Sequence, residues 1–86
     1  MANIGIGNPV LNVAVVIVLF NPSDEEAGNV RRLSEAHHGV IVDNSPQPAF
    51  SGGQTGNMHY IALRENAGIA KAQNIGSRYL LDNTNA

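Results

Sequence analysis

The chain has no cysteine and no tryptophan, and only two tyrosines and two phenylalanines. Without thiols, neither a disulfide nor a thiolate zinc site can hold the fold together, which fits a reducing compartment. Charged residues make up only 14% of the chain, against ~25% in ordinary soluble domains. A small self-sufficient domain carries more charge than this on its surface. A piece of a larger body need not, because part of its surface is meant to be covered. The five lysines and arginines are scattered and the net charge is -2, so there is no basic patch for nucleic acid or anionic lipid. The apolar run Val13–Phe20 is too short to span a membrane. The N-terminus lacks the basic flank and cleavage site of a signal peptide, and the expected location is the cytoplasm. At 86 residues there is room for one small domain, which buries only roughly 60% of its unfolded surface.

What is present is organised as alternating strands and helices. Residues 1–11 read as a flexible lead-in, and residues 12–86 as the domain. Val13–Phe20 is a β-branched run with nothing polar in it, the pattern of a strand buried on both faces, as in a parallel sheet. Asn21-Pro22 stops it. Ser23-Asp24-Glu25-Glu26 has the form of a capping box, with three acids at the positive end of the helix dipole. The helix should run to about His37, with Ala27, Val30, Leu33 and Ala36 or His37 facing the sheet. Gly39 should end it, with Arg31, Arg32, His37 and His38 near its negative end.

Val40-Ile41-Val42 reads as a second buried strand, ending at Asp43-Asn44-Ser45-Pro46. Strand, helix and strand together make a right-handed parallel unit. Residues 45–57, rich in Pro, Gly, Ser and Gln, read as a long mobile loop. Met58-His59-Tyr60-Ile61-Ala62-Leu63 is the third strand. Asn66 then looks like the cap of a second helix, with Ile69, Ala72, Ile75 or Gly76, Tyr79 and Leu80 on one face, ending near Leu81. The fold class expected is α/β: a three-stranded parallel sheet in the order 3-2-1, with β-α-β-β-α succession, half of a doubly wound sheet.

In open parallel sheets, ligands bind beyond the carboxyl ends of the strands. Those ends are Phe20-Asn21, Asp43-Asn44 and Arg64-Glu65-Asn66, all on one edge. Asp43 could accept hydrogen bonds from a ribose hydroxyl or a base imide, or be an ordinary turn aspartate. Asn66-Ala67-Gly68 opens a helix whose amides could attract a phosphate, or is simply a cap. Gly5-Ile6-Gly7 resembles part of a dinucleotide fingerprint but precedes the first strand instead of following it. His37 and His38 are adjacent and would point apart on a helix, which argues against a shared metal. Tyr60 and Tyr79 read as packing residues.

Taken together, the segments Val16-Ile17-Val18-Leu19-Phe20-Asn21-Pro22, Asn29-Val30-Arg31-Arg32-Leu33, Val40-Ile41-Val42-Asp43-Asn44-Ser45-Pro46 and Asn66-Ala67-Gly68-Ile69-Ala70-Lys71-Ala72-Gln73-Asn74-Ile75-Gly76 resemble the N-terminal part of a family-2 glycosyltransferase of the GT-A fold, in its rhamnosyltransferase-like branch. The resemblance implies a Rossmann-like half-domain that binds a nucleotide-diphosphate sugar, dTDP- or UDP-linked. It also implies that Leu19, Phe20 and Asn21 line the base pocket, that Asp43 binds base or ribose, and that Asn66 and Gly68 shape the donor site. Many relatives carry arginine where this chain has Gln73, which can still donate to a base carbonyl. The family further implies a divalent metal, Mg or Mn, held by an Asp-x-Asp motif, and a carboxylate base. Neither is expected in these 86 residues, since Asp82-Asn83-Thr84 reads as the loop before a fourth strand. The resemblance therefore implies a front segment, inactive alone, in which Val13–Phe20 is an exposed edge prone to self-association. The alternative is a free-standing flavodoxin-like interaction module, against which stand the three strands where five are usual.

Overall fold

The computed structural model describes residues 14–83. The lead-in, Gly5-Ile6-Gly7, Val13 and residues 84–86 lie outside the described residues. The elements in chain order are β1 (Ala14–Leu19), α1 (Asp24–Ala36), β2 (His38–Asp43), β3 (Gln54–Thr55), β4 (Met58–Ala62) and α2 (Ile69–Asn83). The sheet order is β1-β2-β4-β3. β1, β2 and β4, the three expected strands, are parallel neighbours in that order, whereas β3 pairs antiparallel with β4. The sheet is therefore mixed and four-stranded, not a three-stranded parallel one. The extra strand sits inside the stretch expected to be a mobile loop. Its signal is Gly56-Asn57, a two-residue turn in which Gly56 has φ +58, followed directly by an apolar strand.

Side-chain alternation divides the sheet into two faces, each with its own helix. Val15, Ile17 and Leu19 lie with Ile41, Met58 and Tyr60 on the face that takes Ala27 and Val30 of α1. Val16 and Val18 lie with Val40, Val42 and Ile61 on the face that takes Ala72, Ile75 and Tyr79 of α2. This is why Val15–Leu19 of β1 and Val40–Val42 of β2 are continuously apolar: successive side chains alternate between two faces, and a helix covers each. α2 lies close down on the sheet. A Cβ on Gly76 would stand 2.7 Å from a Val16 methyl and 3.2–3.3 Å from Val42 and Val40, so the helix sits over the seam between β1 and β2.

The helix faces differ from simple periodicity. On α1 the buried positions are Val30 and Ser34, while Leu33 is 47% exposed. Ser34 is accepted inside because its hydroxyl donates to the Arg31 carbonyl at 2.7 Å. On α2 the expected Ile69 is exposed; it opens the helix before the helix has reached the sheet. The helix also runs through Asn83, two residues past the expected end, so Asp82 and Asn83 are helical and not loop.

The start of α1 is as expected. Ser23 Oγ accepts from the Glu26 amide at 3.1 Å and the Glu26 carboxylate accepts from the Ser23 amide at 2.8 Å. Its end is not. The helix stops at Ala36, His37 is extended, and β2 begins at His38 with no glycine cap. The last carbonyls are satisfied from elsewhere: the Asn57 amide donates to Ser34 O at 2.8 Å and the Asn57 side chain to Glu35 O at 3.0 Å. Gly39 instead serves the sheet. Its φ is +154 and a Cβ there would lie 1.9 Å from the Val15 carbonyl oxygen. Gly39→Ala should therefore destabilise the chain by about 3 kcal/mol or more. Ser23→Ala, which removes one cap, should cost only about 1 kcal/mol. Denaturant unfolding of the two variants checks this ranking, and equal losses would contradict it.

Candidate functional site

The three parallel strands end level, with Leu19 opposite Asp43 and Asp43 opposite Ala62. Beyond them the chain places three consecutive polar residues, Asp43, Asn44 and Ser45, each at most 1% exposed. Each holds a different segment. Asp43 Oδ1 accepts from the Ser45 amide at 2.9 Å, and Oδ2 accepts from the Ala49 amide at 2.8 Å and the Tyr60 hydroxyl at 2.5 Å. Asn44 Oδ1 accepts from the Ala67 amide at 2.9 Å, on the approach to α2. Ser45 Oγ accepts from the Asn21 amide at 2.7 Å, in the turn after β1. The Asp-Asn-Ser sequence is thus the clasp that assembles the edge.

Burial pushes the Asp43 pKa up, but the hydrogen bonds from Ala49, Ser45 and Tyr60 outweigh it and hold the carboxyl below its ordinary value. For Tyr60, burial first and the bond to Asp43 second push the phenol up to about 12. Tyr60 also accepts from the Phe50 amide at 3.2 Å, and its ring meets Phe50 edge-on at 5.5 Å. It is more than a packing residue, and its partner was not visible in the sequence: Asp43 and Tyr60 are 17 residues apart. Only the pairing of β2 with β4 sets both side chains on the α1 face.

The residues suggested by the sequence divide into two groups. Leu19 and Asp43 are buried. Phe20, Asn21, Asn66, Gly68 and Gln73 are exposed. Asn21 is joined to the clasp through Ser45, and Asn66 adjoins Ala67, which is joined through Asn44. Asn66 does not cap α2 directly. Its side chain accepts from the Gly68 amide at 3.1 Å, and the Gly68 carbonyl accepts the first helical bond, from Ala72. Gln73 lies further along α2, and none of the hydrogen bonds of the clasp reaches it. Asn21 (φ 44) and Arg64 (φ 61) are the positive-φ non-glycine residues among those described. Both stand at strand ends on this edge. Backbone strain of this kind concentrates at functional sites.

Two clefts lie elsewhere. One of about 480 Å³ is lined by Arg31, Phe50, Ser51 and Gln54 among others; the other, of about 350 Å³, lies near His38, His59 and Tyr79. Neither is lined by a candidate edge residue. Among the described residues no group of three or more His, Cys, Asp or Glu is placed to hold a metal, and the Asp43 oxygens already accept three donors. The described strand-end residues do not fit a divalent ion. No helix among the described residues is long and apolar enough to cross a membrane.

Compared with known proteins, the chain is 37% identical, over 75 residues covering 83% of its length, to the dTDP-rhamnosyl transferase RfbF of Shigella flexneri. The relationship is to a glycosyltransferase. The match spans 25% of that relative, so this chain corresponds to about a quarter of it. No family model matches the chain, and no solved structure does.

The clasp makes stability depend on pH at both ends. Asp43 has a lowered pKa, so its stabilisation is present above the ordinary carboxylate value of 3.8 and is lost as pH falls through the lower, folded value. Tyr60 is raised from 10.0 to about 12, so its contribution is intact below 10.0 and is lost as pH rises toward 12. Tyr60→Phe should cost about 1.5–3 kcal/mol and move the acid unfolding midpoint to higher pH, because Asp43 loses one of its stabilising donors. Unfolding followed by circular dichroism across pH measures both effects. An unchanged acid midpoint would show that the Tyr60 bond does not stabilise the carboxylate.

Proposed function

We propose that this chain forms the nucleotide-sugar-binding front of a glycosyltransferase of the family-2, GT-A type, whose donor is a dTDP- or UDP-linked sugar, with dTDP-rhamnose favoured. The identity to a dTDP-rhamnosyl transferase over most of the chain carries this reading. The level strand ends and the two strained residues beside them are its physical support. In this reading Phe20, Asn21, Asn66 and Gly68 meet the donor directly. Leu19 is buried and its carbonyl accepts from the Asn44 amide at 2.7 Å, so in this reading it supports the base pocket through the backbone of the strand end. Gln73 offers its amide from the helix.

Asp43 has two roles in sequence. It holds the loop through the Ser45 and Ala49 amides and is 0% exposed. To accept from a base imide or a ribose hydroxyl it must exchange the Ala49 or Tyr60 donor for the ligand. The Ala49 amide then reports on ligand binding. The 86 residues contain no Asp-x-Asp sequence, so the reading assigns them donor binding and not transfer.

Titration of the isotope-labelled chain with dTDP and with UDP tests the proposal. The amides of Phe20, Asn21, Asn66 and Gly68 should shift together and saturate, with Ala49 following if Asp43 takes up the ligand. An unperturbed spectrum at millimolar nucleotide would falsify the binding reading. Sugar transfer by the isolated chain would contradict the assignment of binding alone.

A further inference from the structure

Residues 46–49, Pro-Gln-Pro-Ala, form a short strap between two fixed points. At one end Ser45 is buried, its amide donates to Asp43 Oδ1 and its hydroxyl accepts from the Asn21 amide. At the other end Phe50 is buried. Its amide donates to the Tyr60 hydroxyl at 3.2 Å, its ring meets Tyr60 edge-on, and the Arg31 guanidinium lies 5.0 Å from the ring centre.

Between these points the strap is held lightly. Pro46 and Pro48 carry no N–H, which leaves Gln47 and Ala49 as its backbone donors. Among the described residues its one hydrogen bond to the rest of the chain runs from the Ala49 amide to Asp43 Oδ2, at 2.8 Å. Pro46 and Gln47 are exposed, and Pro48 and Ala49 are half-buried. The cleft of about 480 Å³ is lined by Pro48 and Ala49, among others, but not by Asp43. Open space therefore adjoins the strap on a side where the carboxylate is not.

The acceptor capacity of Asp43 is already taken up. Oδ2 accepts from Ala49 and Tyr60, which fills its two lone pairs. Oδ1 accepts from the Ser45 amide, and the Ser45 hydroxyl also bonds the carboxylate. A base imide must displace one of these donors. Ser45 is two residues from Asp43 and fixed by the chain. Tyr60 is a buried residue in the middle of β4, and its hydroxyl bonds Phe50 as well as Asp43. Its departure would break two hydrogen bonds and the contact of its ring with Phe50. The departure of Ala49 breaks one bond and moves an irregular segment. The Ala49 N–H is also the donor most like a base imide: both are N–H groups beside a carbonyl carbon.

On the reading that Asp43 takes up the base, we propose that the Ala49 amide is an autoinhibitory contact. The strap gives its own N–H to the acceptor that the base requires. The nucleotide binds by displacing the strap into the adjoining cleft, while Phe50 and Tyr60 stay in place. The moving part is residues 46–49 and not the whole stretch 45–57. The two prolines limit the conformations of the free strap, so closing it costs little entropy. Because the closed strap competes with the base, loss of the Ala49 N–H strengthens nucleotide binding. A residue that contacts the ligand would show the opposite sign.

Hydrogen exchange and amide shifts of the isotope-labelled chain, with and without saturating dTDP or UDP, test this. Nucleotide should speed exchange of the Ala49 amide by about tenfold or more and leave the Phe50 amide unchanged. Ala49→Pro removes the N–H at a residue that is not among those with positive φ. It should bind dTDP and UDP about tenfold or more tightly than the unaltered chain, the size expected for removing a competing hydrogen bond to a charged group. If that variant does not fold, exchange in the unaltered chain decides the matter. Shifts at Phe20 and Asn21 with Ala49 still slow would overturn the autoinhibitory contact and leave nucleotide binding standing. Release of Phe50 together with Ala49 would do the same, as would a folded Ala49→Pro chain that binds no more tightly. An absence of any shift at millimolar nucleotide would remove the binding reading itself, and this contact with it.

Discussion

A carboxylate wholly inside a small α/β fold, with no ion-pairing cation among the described residues, must be stabilised by dipoles or be protonated. Asp43 is held by dipoles. The amides of Ser45 and Ala49 and the hydroxyl of Tyr60 converge on it. The rest of the strand-end architecture depends on that arrangement. The turn into Ala49 returns the chain over the α1 face, Phe50 is brought against Tyr60, and the loop is delivered to β3 alongside β4. Asn44 and Ser45 extend the same logic to the other two connections. Three adjacent side chains thus turn a sheet edge, where backbone groups would otherwise be unpaired, into a defined surface.

In the proposed function that surface is where the nucleotide sugar binds. The residues left exposed around the clasp, Phe20, Asn21, Asn66 and Gly68, are those that a ligand at the strand ends would meet first. Asp43 stands behind them. A nucleotide that engaged Asp43 would compete with the loop for it, which couples ligand binding to loop position without requiring any further moving part. β1 has the composition of an interior strand and, among the described residues, one strand neighbour, β2.

Much of this was legible in the residues. The unbroken run at β1 and the Val-Ile-Val of β2 implied strands covered on both faces, and the two faces are indeed covered by α1 and α2. Ser23 and Glu26 marked a helix start that the structure reproduces bond for bond. The helix ends were less legible. α1 needs no glycine because Asn57, 22 residues beyond Glu35, caps it. The start of α2 is displaced to Ile69 because Asn66 spends its side chain on the Gly68 amide. β3 was missed because two residues show no periodicity, although Gly56-Asn57 was there to be read as a hairpin turn.

The sequence by itself determined the order of the main elements, the parallel pairing of three of them and the level edge where their ends meet. These follow from local properties: apolar runs, capping side chains and the handedness of strand connections. It also carried enough identity to relate the chain to a glycosyltransferase. Tertiary structure alone decided which segments Asp43 holds, and that Tyr60 is its partner. It also decided that Gly39 belongs to strand pairing and not to a helix end. Each of these depends on distant residues meeting in one register, and a single sequence records its local preferences but not its partners.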